Sequence, residues 1–515
     1  MPPDEIPVLR LQGITKRFGP LLANDGISFD LARGEVLALL GENGAGKSTL
    51  MSILFGHYVA DAGHIEVEGQ RLPPSQPRAA LAAGIGMVHQ HFMLADNLSV
   101  LDNVMLGSEP LWQPFSRRVA ARARLLREAE RFGLHVDPAA RVSSLSVGER
   151  QRVEILKALF SLGQRARVMI LDEPTAVLTP QESESLFSTL HKMVAQGLSI
   201  IFISHKLDEV LRVSQRIAVL RRGRLVATLP TAGASKAQLA EEMVGRRVPP
   251  ARRVAPAHAG AVVCELRGGH VDGALHGISL DVLAGEVLAI AGVSGNGQAA
   301  LAEVLCGERA LAAGTLRIAG ETLRATPRAF VDAGVARVPE DRHAVGLVGD
   351  LAVWENAVLE RYRSAAFATA GVMKRGAAMA HARSLVQRYD VRGCEAAGVA
   401  TVTRRLSGGN MQKLILAREL GHSGPPPPLI VVNQPTWGLD IAAVAHVHQQ
   451  LLDAAAAGSA VLVISEDLDE VFALADRIAV MHHGRLTAAR PAADWTLQAI
   501  GLAMASTQAA DHAAA

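Results

Sequence analysis

Short, fully apolar runs alternate with amphipathic stretches along this chain. Uninterrupted apolar runs of five or so residues predict buried parallel strands. Six such runs stand out, and they are Val36–Leu40, Val168–Leu171, Ser199–Ile203, Val287–Ala291, Leu429–Val432 and Ala460–Ile464. Helical patterns follow several of them, as at Lys47–Phe55 and Glu149–Leu159. The alternation of strand and helix predicts an α/β fold with a mainly parallel sheet.

The whole pattern occurs twice. GEVLALLGENGAGKSTL begins at Gly34, and GEVLAIAGVSGNGQAAL begins 251 residues later at Gly285. LSVGERQRVEILKAL begins at Leu145, and LSGGNMQKLILAREL begins 261 residues later at Leu406. A period of this length indicates a duplicated domain, because solenoid repeats are only about 20–50 residues long. We therefore predict two domains, 1–247 and 262–515, joined by a proline- and arginine-rich linker at 248–261.

The pattern also predicts some details of each copy. A helix-rich insert at about Ser99–Arg141 is expected to form a separate lobe in the first domain. The second copy has about ten more residues between its sheet motifs and its LSGG segment, as the two spacings above require.

Composition excludes several classes of protein. The formal net charge is only +2 over 515 residues, which argues against a nucleic-acid partner. The N-terminus, MPPDEIPVLR, has no apolar core and does not resemble a signal peptide, and no apolar run is long enough to span a membrane. The three cysteines, Cys264, Cys306 and Cys394, lack metal-ligand or redox spacing and are interpreted as incidental thiols.

A phosphate-binding loop follows the first apolar strand. GENGAGKST fits the pattern G-x-x-x-x-G-K-[ST] and opens a helix, which is the structural setting that this motif requires. The predicted nucleotide contacts are the nine residues Gly41, Glu42, Asn43, Gly44, Ala45, Gly46, Lys47, Ser48 and Thr49. Backbone amides and the helix N-terminus would hold the phosphates. Lys47 would reach the β- and γ-phosphates, and Ser48 would bind Mg²⁺.

Two carboxylates end the strand VMILDEPT. Asp172 suits a water-mediated contact to Mg²⁺, and Glu173 suits polarisation of an attacking water. An acidic strand terminus without a catalytic role is the alternative, and the phosphate-binding loop argues against it.

With these motifs in place, LSVGE and LSGGN resemble the signature of ABC-type ATPases, and the resemblance covers essentially the whole chain. It implies that Gln90 is a Q-loop glutamine that contacts both the metal and the reacting water, and that His205 is the switch histidine. Phe18, in KRFG, resembles the aromatic residue that stacks on adenine, although a phenylalanine near a strand is also compatible with a core position. The implied cofactors are ATP and Mg²⁺.

The same resemblance implies a shared site. ABC domains pair head to tail, so that one domain's signature covers the other's ATP. Ser407, Gly408 and Gly409 are therefore expected to hydrogen-bond the γ-phosphate bound by the first P-loop, and Asp440, in WGLD, resembles the D-loop aspartate beside it.

The partner site departs from the family pattern at many positions. The second P-loop has Gln298 and Ala299 in place of lysine and serine, and its strand ends in Asn433 and Gln434 in place of the two carboxylates. The other departures are Glu340 at the Q-loop, Glu466 at the switch position, Val147 in the first signature and Thr179 in the first D-loop. In a head-to-tail dimer all of these positions meet at one site, so we predict that this site is catalytically silent; weak nucleotide binding there stays open.

The tandem layout resembles the ATPases of bacterial importers for simple sugars and nucleosides. The resemblance implies separate integral membrane permease subunits, an extracytoplasmic solute-binding lipoprotein reached through the permease, and a peripheral location on the cytoplasmic face of the inner membrane. The permease is expected to dock near His91–Leu94 and Asp341–Ala344. GMVHQHFMLADNLSVLDNVMLG, PTAVLTPQE and VPEDRHAVGL are nearer the nucleoside branch than the ribose- or galactose-type sugar branch.

Two other functions compete with this interpretation. Soluble ABC ATPases that act on ribosomes or DNA also pair two such domains. They usually keep both sites competent and use a long charged linker, and this chain shows neither feature. A non-catalytic regulator is the second rival, and the intact first site argues against it.

Overall fold

Each copy of the repeated pattern folds as a unit of its own in the computed structural model. The two units comprise Met1–Val248 and Pro249–Ala515. The structure describes residues 6–90, 92–108, 117–175, 178, 180–204, 206–247, 249, 251–252, 260–293, 295–394, 396–421 and 424–505. Most of the predicted linker, residues 248, 250 and 253–259, lies outside this description.

The first unit contains ten strands and eight helices among its described residues. The strands are β1 (Leu9–Phe18), β2 (Leu21–Leu31), β3 (Val36–Leu40), β4 (Ala62–Val67), β5 (Gln70–Arg71), β6 (Ile85–Val88), β7 (Val168–Asp172), β8 (Ser199–Ile203), β9 (Arg216–Arg221) and β10 (Arg224–Pro230). The helices are α1 (Lys47–Leu54), α2 (Pro77–Ala82), α3 (Val100–Met105), α4 (Arg118–Phe132), α5 (Val147–Leu162), α6 (Pro180–Ala195), α7 (Leu207–Val213) and α8 (Lys236–Val244).

A six-stranded sheet forms the centre of this unit, in the order β10-β9-β3-β8-β7-β6. Strands β9, β3, β8, β7 and β6 run parallel, and only β10 is antiparallel to its neighbour. Every residue of β3 and β8 is buried, which is why these strands are continuously apolar in sequence. A second, antiparallel sheet has the order β2-β1-β4-β5. The parallel strands all end at one edge of the central sheet, where polar side chains can converge.

The predicted helical insert consists of α3 and α4, and both pack against α5. A backbone bridge between Ser99 and Arg141 joins the beginning and the end of this insert. Residues 109–116 of the insert lie outside the described part of the chain.

The second unit repeats this plan with additions. Its strands are β11 (Val262–Val271), β12 (Leu275–Leu283), β13 (Val287–Ala291), β14 (Ala313–Ile318), β15 (Ala336–Val338), β16 (Ala368–Thr369), β17 (Val372–Met373), β18 (Leu429–Asn433), β19 (Ala460–Ser465), β20 (Arg477–His482), β21 (Arg485–Leu486) and β22 (Arg490–Pro491). Its helices are α9 (Gln298–Leu305), α10 (Pro327–Asp332), α11 (Val353–Val358), α12 (Arg375–Arg388), α13 (Gly408–Leu420), α14 (Ile441–Ala456), α15 (Leu468–Leu474) and α16 (Leu497–Ala505).

The central sheet of the second unit has the order β15-β18-β19-β13-β20-β21, with β22 also paired to β20. The second unit also contains the β16–β17 hairpin and a π-helical turn at Arg342–Gly346. The α/β prediction, with a mainly parallel sheet and a helical subdomain in each copy, is confirmed. The predicted strands are found at their expected positions, although three of them continue for one residue, to Asp172, Asn433 and Ser465. In the part of the chain that the structure covers, no helix combines the length and apolarity needed to cross a membrane.

Candidate nucleotide-binding and hydrolysis site

The first phosphate-binding loop connects β3 to α1. Gly46 has a φ of 100°, and a Cβ atom there would lie 2.3 Å from the carbonyl oxygen of Ala23. Only glycine fits this position. The side chain of Lys47 is buried and folds back over the loop, where Nζ donates to the carbonyl oxygens of Gly41 at 2.6 Å and Glu42 at 3.2 Å. Ser48 is exposed at the first turn of α1. The loop therefore places the Lys47 ammonium and the exposed Ser48 hydroxyl at a helix N-terminus.

The C-terminal end of β7 brings the carboxyl groups of Asp172 and Glu173 close to the phosphate-binding loop. Burial and the neighbouring charge of Glu173 raise the pKa of Asp172 to about 6, although Lys47 opposes this shift. Burial lowers the pKa of the Lys47 ammonium, and the charges of Glu173, Asp172 and Glu42 oppose that shift. Lys47, Asp172 and Glu173 are thus close enough to interact electrostatically. An added cation at this site would favour the ionised form of both carboxylates.

Glu173 has an unusual backbone conformation. Its φ is 48°, in the left-handed region, and its backbone N–H donates to the carbonyl oxygen of Ile203 at 2.9 Å. The Nε2 atom of Gln90 donates to Oε2 of Glu173 at 2.8 Å. Strained residues of this kind often mark functional sites. The structure therefore brings the predicted Q-loop glutamine onto the predicted general base.

The switch segment is anchored just before His205, which itself lies outside the described residues. The hydroxyl of Ser204 donates to Oε2 of Glu209 at 2.9 Å, and the hydroxyl of Thr175 donates to the same oxygen at 2.6 Å. Glu209 thereby links the segment after β8 to the segment after β7.

Phe18 is 40% exposed, so it is not a core residue. Tyr58 packs edge-on against it with ring centroids 5.5 Å apart, and the Nζ atom of Lys16 lies 5.4 Å from the centre of the Phe18 ring. Sequence reasoning missed Tyr58, because its position after α1 matches no pattern for a base-stacking residue. Together the two rings form an exposed aromatic surface.

Ser407, Gly408, Gly409 and Asp440 lie in the second unit, beside one another. α13 begins at Gly408, and Asn410 Nδ2 donates to the hydroxyl of Ser407 at 2.8 Å. Asp440 caps α14 by accepting from the backbone N–H of Ala443 at 2.8 Å. A Cβ atom on Gly409 would lie 3.8 Å from Asp440 Oδ2, so the signature and the D-loop of this unit are adjacent.

The first signature differs in charge from the second. Ser146 and Glu149 form a capping box, so the Glu149 carboxylate already lies at the N-terminus of α5. A Cβ atom on Gly148 would come within 2.2 Å of a carboxylate oxygen of Glu182. Val147 is 40% exposed. This helix end carries acidic groups where the second signature carries Asn410.

The second phosphate-binding loop is bridged by its own side chain. Gln298 is buried; its Nε2 donates to the carbonyl oxygen of Val293 at 2.6 Å, and its Oε1 accepts from the backbone N–H of Asn296 at 3.0 Å. The Asn296 side chain accepts from the backbone N–H of His483 at 2.9 Å. One loop amide that could face a phosphate is therefore already paired.

The end of β18 in the second unit has the same backbone conformation as the end of β7 but carries amides in place of the two carboxylates. Gln434 has a φ of 49°, and its N–H donates to the carbonyl oxygen of Ile464 at 2.8 Å. Its Oε1 accepts from the backbone N–H of Glu466 at 3.3 Å. Asn433 Nδ2 donates to Oε2 of Glu340 at 3.4 Å. Ala299 is exposed at the first turn of α9, and Thr179 lies outside the described residues.

The segment after Gln90 is held by α5. His91 lies outside the described residues, but Met93 is described and 61% exposed. Its backbone N–H donates to Glu154 Oε1, and its carbonyl oxygen accepts from Lys157 Nζ at 2.6 Å. Glu154 and Lys157 are one helical turn apart, so their side chains lie on the same face of α5. Together they bind the backbone N–H and the carbonyl oxygen of Met93.

Comparison with known families gives two matches within the chain. The family model described as ABC transporter matches residues 24–176 and again residues 275–426. Each match contains one phosphate-binding loop and one signature segment.

Similar proteins cover nearly the whole chain. A glucose import ATP-binding protein of Haloferax volcanii is 44% identical over 97% of this chain and 96% of its own length. A nucleoside import ATP-binding protein of Lactococcus lactis is 41% identical over 96% of this chain and 98% of its own length. A guanosine import ATP-binding protein of Bacillus subtilis is 41% identical over 97% of this chain and 98% of its own length.

Proposed function

This chain belongs to the ABC transporter family as the ATP-binding subunit of an importer, and from that premise we propose that it powers nucleoside uptake with one competent ATP site per chain. It is an ATPase that binds ATP and works with membrane permease subunits. The observation that carries the proposal is the contrast between Lys47, beside Asp172 and Glu173, and Gln298, which bridges its own loop. We assign domain 1 to residues 1–247, the linker to 248–261 and domain 2 to 262–515.

The competent site is assigned to the first P-loop. Lys47 and the loop amides from Gly41 to Thr49 bind the phosphates, and Phe18 receives the adenine ring. The Ser48 hydroxyl and, through water, the Asp172 carboxylate are oxygen donors of the kind that Mg²⁺ takes, together with phosphate oxygens. Bound Mg²⁺ would neutralise charge on the β- and γ-phosphates.

Hydrolysis needs a base beside the γ-phosphate. Glu173 accepts the proton of the attacking water, and Gln90 orients Glu173 and joins the metal contacts. His205 is assigned to the γ-phosphate as the switch residue. Ser407, Gly408 and Gly409 of the second signature, with Asp440, complete this site by head-to-tail pairing of the domains.

The second site is assigned as catalytically silent. It lacks the lysine, the hydroxyl and both carboxylates, and the signature expected to face it carries Glu149 and Val147. Phosphate would meet Glu149 of the first signature at the position where the second signature has the neutral Asn410, so ATP turnover there is excluded in this proposal.

The cargo is assigned to the nucleosides, as the three stretches near the nucleoside branch and two relatives with nucleoside or guanosine in their names support. Simple-sugar import is the second candidate, because the glucose import protein of Haloferax volcanii has 44% identity. We also propose an extracytoplasmic solute-binding lipoprotein that delivers cargo to the permease, a peripheral location on the cytoplasmic face of the inner membrane, and no nucleic-acid partner.

The deciding experiment uses the whole transporter in liposomes. ATPase activity is measured with the solute-binding protein and, in turn, guanosine, adenosine, ribose, galactose and glucose. Stimulation by nucleosides alone supports the proposal. Stimulation by sugars alone replaces it with the second candidate, and stimulation by ribosomes or DNA without the permease would overturn both.

A further inference from the structure

Arg342 connects three segments of the second unit. It belongs to the stretch VPEDRHAVGL and begins the π-helical turn Arg342–Gly346. Its Nη1 donates to the carbonyl oxygen of Trp437 at 2.7 Å, in the segment just before Asp440. The guanidinium also lies against two glycines. A Cβ atom would lie 3.1 Å from Arg342 Nε if built on Gly408, and 3.1 Å from Nη2 if built on Gly438.

We propose that Arg342 is a positioning residue for ATP hydrolysis, which holds the second D-loop and the second signature in one arrangement and ties both to the turn at residues 341–346. This inference rests on the proposed function, because it matters for catalysis only if these two segments face the ATP of the first P-loop. Arg342 itself is not assigned a contact with ATP.

The geometry explains why arginine suits this position. A planar guanidinium can donate to a carbonyl with one edge while its flat face packs against glycine backbone. Burial lowers the pKa of Arg342, yet the group stays charged at physiological pH, so this donor is permanent. Asp341 caps the same turn by accepting from the backbone N–H groups of His343 at 2.8 Å and Ala344 at 2.9 Å. The arginine is therefore anchored at its base.

The first unit has a different pair of residues at the corresponding positions. Aligning GMVHQHF with ARVPEDR places Phe92 opposite Arg342, and aligning the two signatures places Val147 opposite Gly408. A phenylalanine cannot donate to a carbonyl. Thus arginine occurs with glycine in the copy whose signature is assigned to the competent site, and phenylalanine occurs with valine in the copy assigned to the silent site.

The link has a direct consequence for coupling. The turn at 341–346 lies where the permease is expected to dock, so a shift of that turn would move the Trp437 carbonyl and the Gly408 backbone together. Arg418 of α13 strengthens the connection by donating to the carbonyl oxygen of Gly346 at 2.9 Å. The turn is thus hydrogen-bonded to the D-loop segment through Arg342 and Trp437, and to the signature helix α13 through Gly346 and Arg418.

Hydrogen exchange on the full chain tests the structural half of the proposal. Arg342→Ala and Arg342→Lys are compared with Arg404→Ala, a matched control, since Arg404 forms an exposed ion pair with Asp350 in the same unit. Removing one hydrogen bond should raise amide exchange across residues 434–441 about fivefold in Arg342→Ala. Arg342→Lys, which keeps one donor, should show a smaller increase, and Arg404→Ala none. Unchanged exchange in Arg342→Ala overturns the proposal.

ATPase kinetics of the reconstituted transporter test the catalytic half. Arg342→Ala should lower kcat between about tenfold and a hundredfold by misplacing groups, with KM for ATP nearly unchanged because the P-loop is intact. Partial recovery of kcat in Arg342→Lys is expected. Gly408→Asp tests the site pairing separately, because it places a carboxylate in the signature assigned to the competent site and is expected to abolish turnover. If exchange rises in Arg342→Ala while its kcat stays within twofold, and Gly408→Asp abolishes turnover, the positioning role is wrong and the proposed site pairing stands. If Gly408→Asp also leaves turnover intact, both are wrong.

Discussion

Gln90 donates a hydrogen bond to Glu173 at 2.8 Å, and the second unit reverses the direction of this contact. There the carboxylate is on the Q-loop, as Glu340, and the donor amide is on the strand end, as Asn433. A contact between the two segments is thus present in both units, but only the first leaves a carboxylate on the strand end, where a base for hydrolysis is needed.

Replacing Glu173 by glutamine should abolish hydrolysis and leave ATP binding. The change keeps the shape of the side chain and removes the proton acceptor, so kcat should fall about 10²–10⁴-fold. Steady-state phosphate release and ATP affinity are measured on the reconstituted transporter. Gln434→Glu is the matched control, and it should not raise the rate, because Gln298 and Ala299 still occupy its P-loop. Turnover of Glu173→Gln within a few-fold of the unmodified protein would refute the assignment.

Lys47→Ala and Gln298→Ala should differ in their effect on ATP binding. Loss of a charged hydrogen-bond donor costs about 1.5–3 kcal/mol, which corresponds to a roughly tenfold to hundredfold weaker affinity for Lys47→Ala. Gln298 has no charge to lose and pairs within its own loop, so its removal should change the measured affinity little. Equal losses in the two variants, measured by calorimetry with ATP and Mg²⁺, would contradict the asymmetry.

Gly408→Asp should abolish hydrolysis although the P-loop of its own unit has Gln298 and Ala299 in place of lysine and serine. The new side chain would meet the Arg342 guanidinium and would bring a negative charge towards the γ-phosphate expected there. Val147→Asp is the positional counterpart and should retain turnover, since it changes an exposed residue of the signature assigned to the silent site. Gly148→Asp is a poorer control because it would place a carboxylate against Glu182. Loss of ATPase activity in Val147→Asp alone would reverse the site pairing.

A cysteine at Met93 should crosslink to a membrane subunit. Met93 is exposed, and its backbone is held by Glu154 and Lys157 of α5, so movement of the signature helix would reach this residue. Val372→Cys is a control, because Val372 is 71% exposed on the β16–β17 hairpin, away from the Q-loop in sequence. Crosslinks from Val372 but not from Met93 would place the permease elsewhere, and crosslinks only to ribosomal proteins would support the soluble rival.

The parallel strands could be predicted from sequence because burial on both faces leaves a continuous apolar run. Val36–Leu40 and Ser199–Ile203 are strands with the predicted bounds for this reason. The first P-loop could also be predicted, since its glycines follow a backbone requirement that is visible in the motif. The predicted nucleotide contacts themselves stay predictions.

Contacts between distant segments could not be predicted. The Arg342–Trp437 hydrogen bond depends on a π-helical turn that no periodicity reveals, and the Gln298 bridge depends on a side-chain rotamer. The hydrogen bonds from Glu154 and Lys157 to the Met93 backbone leave one signal in the sequence, namely two opposite charges one turn apart on a predicted helix. Only the fold shows that Met93 is the residue that they bind.

The left-handed backbone shared by Glu173 and Gln434 bears on the history of the duplication. Such a conformation costs about 1–3 kcal/mol and persists where the surrounding structure enforces it. The second copy has this conformation although its strand ends in Asn433 and Gln434 in place of two carboxylates. A protein engineer who wished to revive that half would therefore replace side chains, restoring lysine at Gln298, serine at Ala299, aspartate at Asn433 and glutamate at Gln434, on a main chain that already has the required turn.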